Sequence, residues 1–185
     1  MVKPEVKSGT VLLAEPFMLD PNFKRTALLL VEHNEEGTVG FVLNRPVNMR
    51  VDELIQDFPE FDASVFYGGP VQTDTVHFLH RMGDLLEESF EVFPGVFWGG
   101  NFDKLKFLIE RELITDRDIR FFVGYSGWSA GQLKSELSYG SWVTAPMDIN
   151  YLFKSKPDAL WAQVMGNKGN VYKVIADMPD DASYN

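Results

Sequence analysis

The chain has 185 residues, 45% of them hydrophobic, and a formal net charge of −10 at pH 7. That is enough for one domain with a core of its own. The absence of cysteine excludes disulfides, thiolate catalysis and cysteine-ligated metals, and the acidic balance disfavours duplex nucleic acid and anionic lipid as partners. No targeting segment is visible, and no apolar run reaches the ~20 residues of a membrane span. The sequence therefore predicts a soluble, cytoplasmic protein.

In chain order, Val11 to Ala14 reads as a short buried strand. Ala27 to Glu32 and Val39 to Leu43 flank a short loop ending in Gly37, which predicts a β-hairpin. Val51, Leu54, Ile55 and Phe58 have helical spacing, so a helix over 51–58 is expected, stopped by Pro59. Val65 to Tyr67 and Val76 to Leu79 read as strands, separated by Gly68-Gly69-Pro70. Phe90 to Phe93 and Val96 to Trp98 read as a hairpin around Pro94-Gly95, and the second arm runs into Gly99-Gly100.

Asp103 to Leu113 is amphipathic, with Asn101 as its N-cap. Ile119 to Tyr125 reads as a buried strand and Gln132 to Tyr139 as a helix closed by Gly140. Trp142 to Ala145 reads as a strand. Ser155 to Met165 reads as a helix with Ser155 and Asp158 as a capping pair. With no linker visible, residues 1–185 form one domain with loose ends at 1–9 and 177–185.

The chemistry concentrates in GYSGWSAGQLKSE, Gly124 to Glu136. Gly127-Trp128-Ser129-Ala130-Gly131 matches G-x-S-x-G, the strand-to-helix elbow of serine hydrolases. Such a serine needs a base, and in those enzymes the acid and histidine follow it in the chain. Here His33, His77 and His80 all precede Ser129. Ser129 with Gln132 also reads as a capping box, with the hydroxyl accepting from the Gln132 amide and the Gln132 side chain reaching back. The cap is the preferred reading, and no residue is assigned as catalytic.

His77 and His80 lie in a strand and so on opposite faces, which argues against a metal site; neither metal nor cofactor is expected. Arg45, beside Asn44, either grips a carboxylate or phosphate or else neutralises a neighbouring acid or caps carbonyls, and Arg25 either serves an anion site or forms a structural ion pair. The Gly68-Gly69-Pro70 and Gly99-Gly100 clusters match no phosphate loop and instead permit close backbone approach or positive φ. Tyr125 and Trp128 either form an aromatic wall or belong to the core. The candidate binding residues are thus Arg25, Asn44, Arg45, Gly68, Gly69, Pro70, Tyr125, Trp128, Ser129 and Gln132.

Five segments together resemble the YqgE/AlgH family of bacterial proteins. They are DPNFKRTALLLVEHNEEGTVGFVLNRP (Asp20 to Pro46), YGGPV (Tyr67 to Val71), FLHR (Phe78 to Arg81), GVFWGGNFDKLKFLI (Gly95 to Ile109) and GYSGWSAGQLKSELSYGSW (Gly124 to Trp142). The resemblance implies an α/β (α+β-like) domain, with a bifurcated, mostly antiparallel sheet forming a pseudo-barrel flanked by helices. It implies no defined activity, only a proposed regulatory role in alginate production. The expectation is a non-enzymatic binding or regulatory module for a protein or small-molecule partner, with a hydrolase built on Ser129 as the alternative.

Overall fold

Apolar residues that alternate between two buried faces build most of the sheet. The computed structural model describes residues 5–180. Strands β1 (Val11–Ala14), β2 (Ala27–Asn34) and β3 (Gly37–Val42) form an antiparallel meander. Val11, Leu13, Leu29 and Phe41 face one core cluster, whereas Leu12, Leu28, Leu30 and Val42 face another. The chain then runs through β4 (Pro46–Arg50), α1 (Val51–Leu54), β5 (Ser64–Tyr67), β6 (Val71–His80), β7 (Phe90–Phe93) and β8 (Val96–Trp98). Helix α2 (Phe102–Glu110), β9 (Ile119–Ser129), α3 (Gln132–Ser138), β10 (Trp142–Ala145), α4 (Ile149–Phe153), α5 (Pro157–Gly166) and α6 (Asn170–Ala176) complete it.

Among the described residues the sheet has ten strands in the order β10-β1-β2-β3-β9-β6-β8-β7, with β5 and its neighbour β4 branching from β9. All pairings are antiparallel except β5 with β9. The bifurcation lies in β9. Residues 121–123 sit between β5 and β6, and residues 126–129 pair with β3. The sheet curls without closing, and a Cβ at Gly9 would stand 2.7 Å from the Val92 carbonyl of β7. Helices α4, α5 and α6 cover the inner cluster through Leu152, Leu160, Val164, Met165 and Ala176. Helix α2 covers a second cluster through Leu105, Leu108 and Ile109, and α3 a third through Leu133. The mixed α/β architecture and the expected strands and hairpins are therefore present.

Several local expectations are corrected. The helix expected over 51–58 ends at Leu54, because the Asp52 carboxylate accepts the Phe61 amide at 2.8 Å and the chain reverses through Asp57 at φ 59°. Strand β9 runs four residues past Tyr125, because β3 supplies a partner as far as Ser129. Ser155 does not cap α5; its hydroxyl donates to the Tyr151 carbonyl of α4 at 2.6 Å, and α5 begins at Pro157. Strand β4 and helices α4 and α6 are too short for a clear period. Of the loose ends expected at 1–9 and 177–185, residues 1–4 and 181–185 lie outside the described residues. The Gly9 amide donates to the Leu30 carbonyl at 2.7 Å, and Arg25 holds the Met178 carbonyl at 2.7 Å.

His80 is the buried polar group with the clearest consequence for stability. It is 0% exposed; its Nε2 bonds the Gly99 carbonyl at 2.7 Å and its Nδ1 accepts from the Met82 amide at 3.1 Å. That pairing requires the neutral ring with its proton on Nε2. Burial pulls the His80 pKa below the ordinary 6.5, although the Gly99 bond opposes this. Between the two values the unfolded chain binds the extra proton, so stability is full above pH 6.5 and falls as pH drops below it. Thermal melts from pH 7.5 down to pH 5 are expected to show this fall, and His80→Gln, which keeps a donor and an acceptor, should make it shallower.

Candidate functional site

The ten candidate residues fall into three places. The first holds Arg25, Asn44 and Arg45. Arg25 has a left-handed backbone at φ 52°, and Asn44 holds it there. The Asn44 Nδ2 donates to the Arg25 carbonyl at 2.9 Å, and its Oδ1 accepts from the Ala27 amide at 3.1 Å. Arg45 donates to the Pro21 and Lys24 carbonyls at 2.5 and 2.6 Å. Burial lowers its pKa, with Tyr67 and Asp20 opposing. Arg25 donates to the Ala176 and Met178 carbonyls and lies over the Trp161 ring at 4.8 Å. Both guanidinium groups therefore clamp carbonyls, and together they fix the 20–25 turn and the end of α6.

The second place is a crossing of two backbones. A Cβ on Gly68 would stand 2.4 Å from the Gly124 carbonyl, and one on Gly69 would stand 2.3 Å from the Tyr125 carbonyl carbon and oxygen. The buried Ser126 hydroxyl donates to the Gly68 carbonyl at 3.0 Å. Pro70 is exposed beside the crossing. The glycine cluster thus permits close approach of two chains.

The third place is the corner between β9 and α3. Trp128 is 6% exposed and packs with Leu12, Leu28, Leu133 and Trp142. Tyr125 is half-buried against the opposite, inner cluster. The two rings therefore form no common wall, because an odd separation along β9 puts them on different faces. The capping box is half formed. Gln132 Oε1 accepts the Ser129 amide at 3.0 Å, as expected, but it also accepts the Ser129 hydroxyl at 3.3 Å. That hydroxyl does not receive the Gln132 amide. Pairing with β3 keeps Ser129 extended, and Gly131, at φ 77°, takes the N-cap position. Ser129→Ala is therefore expected to lower stability by less than about 1 kcal/mol, measured by thermal or urea unfolding.

Sequence reasoning missed Glu136, the centre of this corner. Its Oε2 accepts the Trp128 indole at 2.7 Å and the Trp142 indole at 2.9 Å, and its Oε1 accepts Gln132 Nε2 at 3.1 Å. The i,i+4 spacing of Gln132 and Glu136 was a visible signal, whereas the two tryptophans meet only through the fold. Among the described residues the Ser129 hydroxyl bonds only Gln132. His33 bonds Thr38 at 2.7 Å, and the register Thr38 to Trp128 puts it on the sheet face away from Ser129. His77 and His80 point to opposite faces of β6, into the inner and α2-covered clusters. No three His, Asp or Glu side chains among the described residues come together as a metal site.

Beside this corner lies a groove of about 770 Å³. Its walls are α3, the tip of the β2–β3 hairpin and residues 5–7, with Val6 and Leu137 as apolar lining and Lys7, His33 and Lys134 as polar lining. No helix among the described residues is long and apolar enough to cross a membrane.

An open, bifurcated sheet with helices on both faces defines the class of protein, and comparison with known proteins defines the family. The family model described as AlgH-like matches residues 11–173. A UPF0301 protein of Chlorobaculum parvum is 46% identical over 175 residues, covering 95% of this chain and 94% of the relative. One from Cytophaga hutchinsonii is 35% identical, covering 96% and 98%. The solution structure of the AlgH protein from Pseudomonas aeruginosa matches with a TM-score of 0.73 at 32% identity, covering 97% and 98%. A Corynebacterium diphtheriae crystal structure shares the fold, with a TM-score of 0.79 at 22% identity over 96% and 95% of the two chains. The chain belongs to the AlgH-like, UPF0301 family.

Proposed function

We propose that this protein works in the cytoplasm by binding, without breaking bonds, as a regulatory module for a protein or small-molecule partner. One observation carries the reading. The only serine in an elbow motif has its hydroxyl on the Gln132 carboxamide, which cannot take a proton from it in the way an imidazole does. The rest of the motif is committed to architecture, since Trp128 and Gln132 both bond Glu136. The groove beside α3 offers the partner apolar surface from Val6, Leu133 and Leu137 among charged and polar side chains of both signs. A net charge of −10 argues against duplex nucleic acid as that partner.

A fluorophosphonate probe, read by peptide mass spectrometry, tests the reading. Ser129 should stay unmodified at the background rate of the chain's other exposed serines. Selective, stoichiometric labelling of Ser129 would replace the binding module with a hydrolase.

A further inference from the structure

Polar groups on buried rings in this protein are nearly all partnered. Trp128 and Trp142 donate to Glu136, and Trp161 donates to the Ala14 carbonyl at 3.0 Å. Tyr67 donates to Asn22, and the Tyr151 hydroxyl accepts from Asn167. His80 uses both ring nitrogens.

One cluster on the inner face of the sheet breaks the pattern. The His77 ring of β6 touches Phe41 of β3 at a centroid distance of 5.3 Å, Tyr125 of β9 at 5.8 Å and Trp98 of β8 at 6.4 Å. Trp98 also meets Phe41 at 6.0 Å. His77, Trp98 and Tyr125 are half-buried. Among the described residues, neither the Trp98 indole N–H nor the Tyr125 hydroxyl has a protein partner, and His77 has one on Nε2 alone. Among the described residues the only buried side-chain nitrogen or oxygen without a partner is Arg25 Nε, so these three unpartnered groups reach solvent.

The His77 tautomer follows from its neighbour. The Thr75 hydroxyl donates its one proton to the Gln72 carbonyl at 2.7 Å. At its 3.2 Å contact with His77 Nε2 it therefore accepts, Nε2 carries the ring proton, and Nδ1 presents a lone pair. Burial lowers the His77 pKa and favours this neutral form. The cluster thus offers an acceptor (His77 Nδ1), a donor (Trp98 Nε1–H) and a hydroxyl of either sense, on aromatic walls and with no formal charge.

We propose that this aromatic cluster is a binding site for a flat, neutral heteroaromatic molecule that carries an N–H donor and a carbonyl acceptor on one edge. The half-buried rings of Trp98 and Tyr125 supply stacking surface, backed by the fully buried Phe41. The unpartnered donor and acceptor supply orientation, and a molecule without that edge leaves them unmatched. The site shares none of the groove residues named beside α3, and it stands independently of the reading of Ser129.

Uracil is a suitable probe, followed through the indole N–H resonances of the four tryptophans in a 15N-labelled protein. Titration to about 10 mM is expected to shift the Trp98 signal saturably and leave Trp128, Trp142 and Trp161 in place. Toluene, which is flat but lacks the polar edge, should shift Trp98 at least about tenfold less at equal concentration. His77→Phe, which keeps an aromatic ring, should weaken uracil binding by about tenfold, with the other three indole signals reporting an intact fold. An unmoved Trp98 signal in the wild-type protein would overturn the proposal, as would equal shifts from toluene or undiminished binding by folded His77→Phe. Oligouridine shifting Trp98 at far lower nucleotide concentration than uracil would overturn the assignment to a free small molecule. Labelling of Ser129 would leave all these results unchanged.

Discussion

Gly69→Ala is expected to be among the most damaging single substitutions in this chain, lowering stability by about 3–5 kcal/mol. The new Cβ would stand 2.3 Å from the Tyr125 carbonyl carbon and oxygen and 2.4 Å from the Ser126 amide nitrogen. These are backbone atoms of the central strand, so no side-chain rotation relieves the contact. Residue 69 also has φ 153°, at the edge of the region that favours glycine. Gly124→Ala meets the same crossing from the other side, 2.4 Å from the Gly69 carbonyl and at φ 66°. The crossing joins the β5 branch to both halves of β9, so separating it loosens two core clusters together. Thermal unfolding should show a loss of about 10 °C or more. Gly131→Ala meets no atom within 4 Å despite φ 77°. It should cost only the left-handed strain of about 1–2 kcal/mol.

Glu136→Ala is expected to rank close behind, at about 2–4 kcal/mol. The substitution strands the indole N–H groups of Trp128 and Trp142, which are 6% and 5% exposed, at the edge of a packed cluster. Each unsatisfied buried donor costs about 1–3 kcal/mol. Gln132 loses the acceptor of its side-chain amide at the same time. Glu136→Gln retains one carbonyl oxygen for the indoles and should recover most of the loss. Urea unfolding of the two variants beside Ser129→Ala separates the contributions, and the expected order of damage is Glu136→Ala, then Glu136→Gln, then Ser129→Ala.

The parts of the fold legible from sequence were those with local causes. Alternation and turn glycines marked the hairpins β2–β3 and β7–β8, and Asn101 marked the start of α2, where its side chain accepts the Lys104 amide at 2.9 Å. Gly68 and Gly69 were legible as points of close approach, although the sequence did not name Gly124 as what approaches them. Extent was less legible. Strand β9 reaches Ser129 because β3 pairs with it, and α1 stops at Leu54 because Asp52 binds the Phe61 amide. The roles of Glu136, Trp98 and His77 were hidden for a different reason. Each depends on rings brought together from distant strands, and neither spacing nor composition encodes those meetings. Arg45 lay in between, since its residue type and strand-end position named carbonyl capping as one of three roles, and only the folded 20–25 turn supplies the carbonyls.

In the block from Gly124 to Trp142 the side chains of Trp128, Gln132 and Trp142 are engaged inside the fold, with Glu136 as their common acceptor. Indole hydrogen exchange in heavy water measures this most directly. Trp128 and Trp142 should both exchange slowly in the wild-type protein, much more slowly than the unpartnered Trp98, and both should lose protection in Glu136→Ala. Exchange of Trp128 and Trp142 as fast as that of Trp98 in the wild-type protein would contradict the engagement of these groups and free the corner for chemistry.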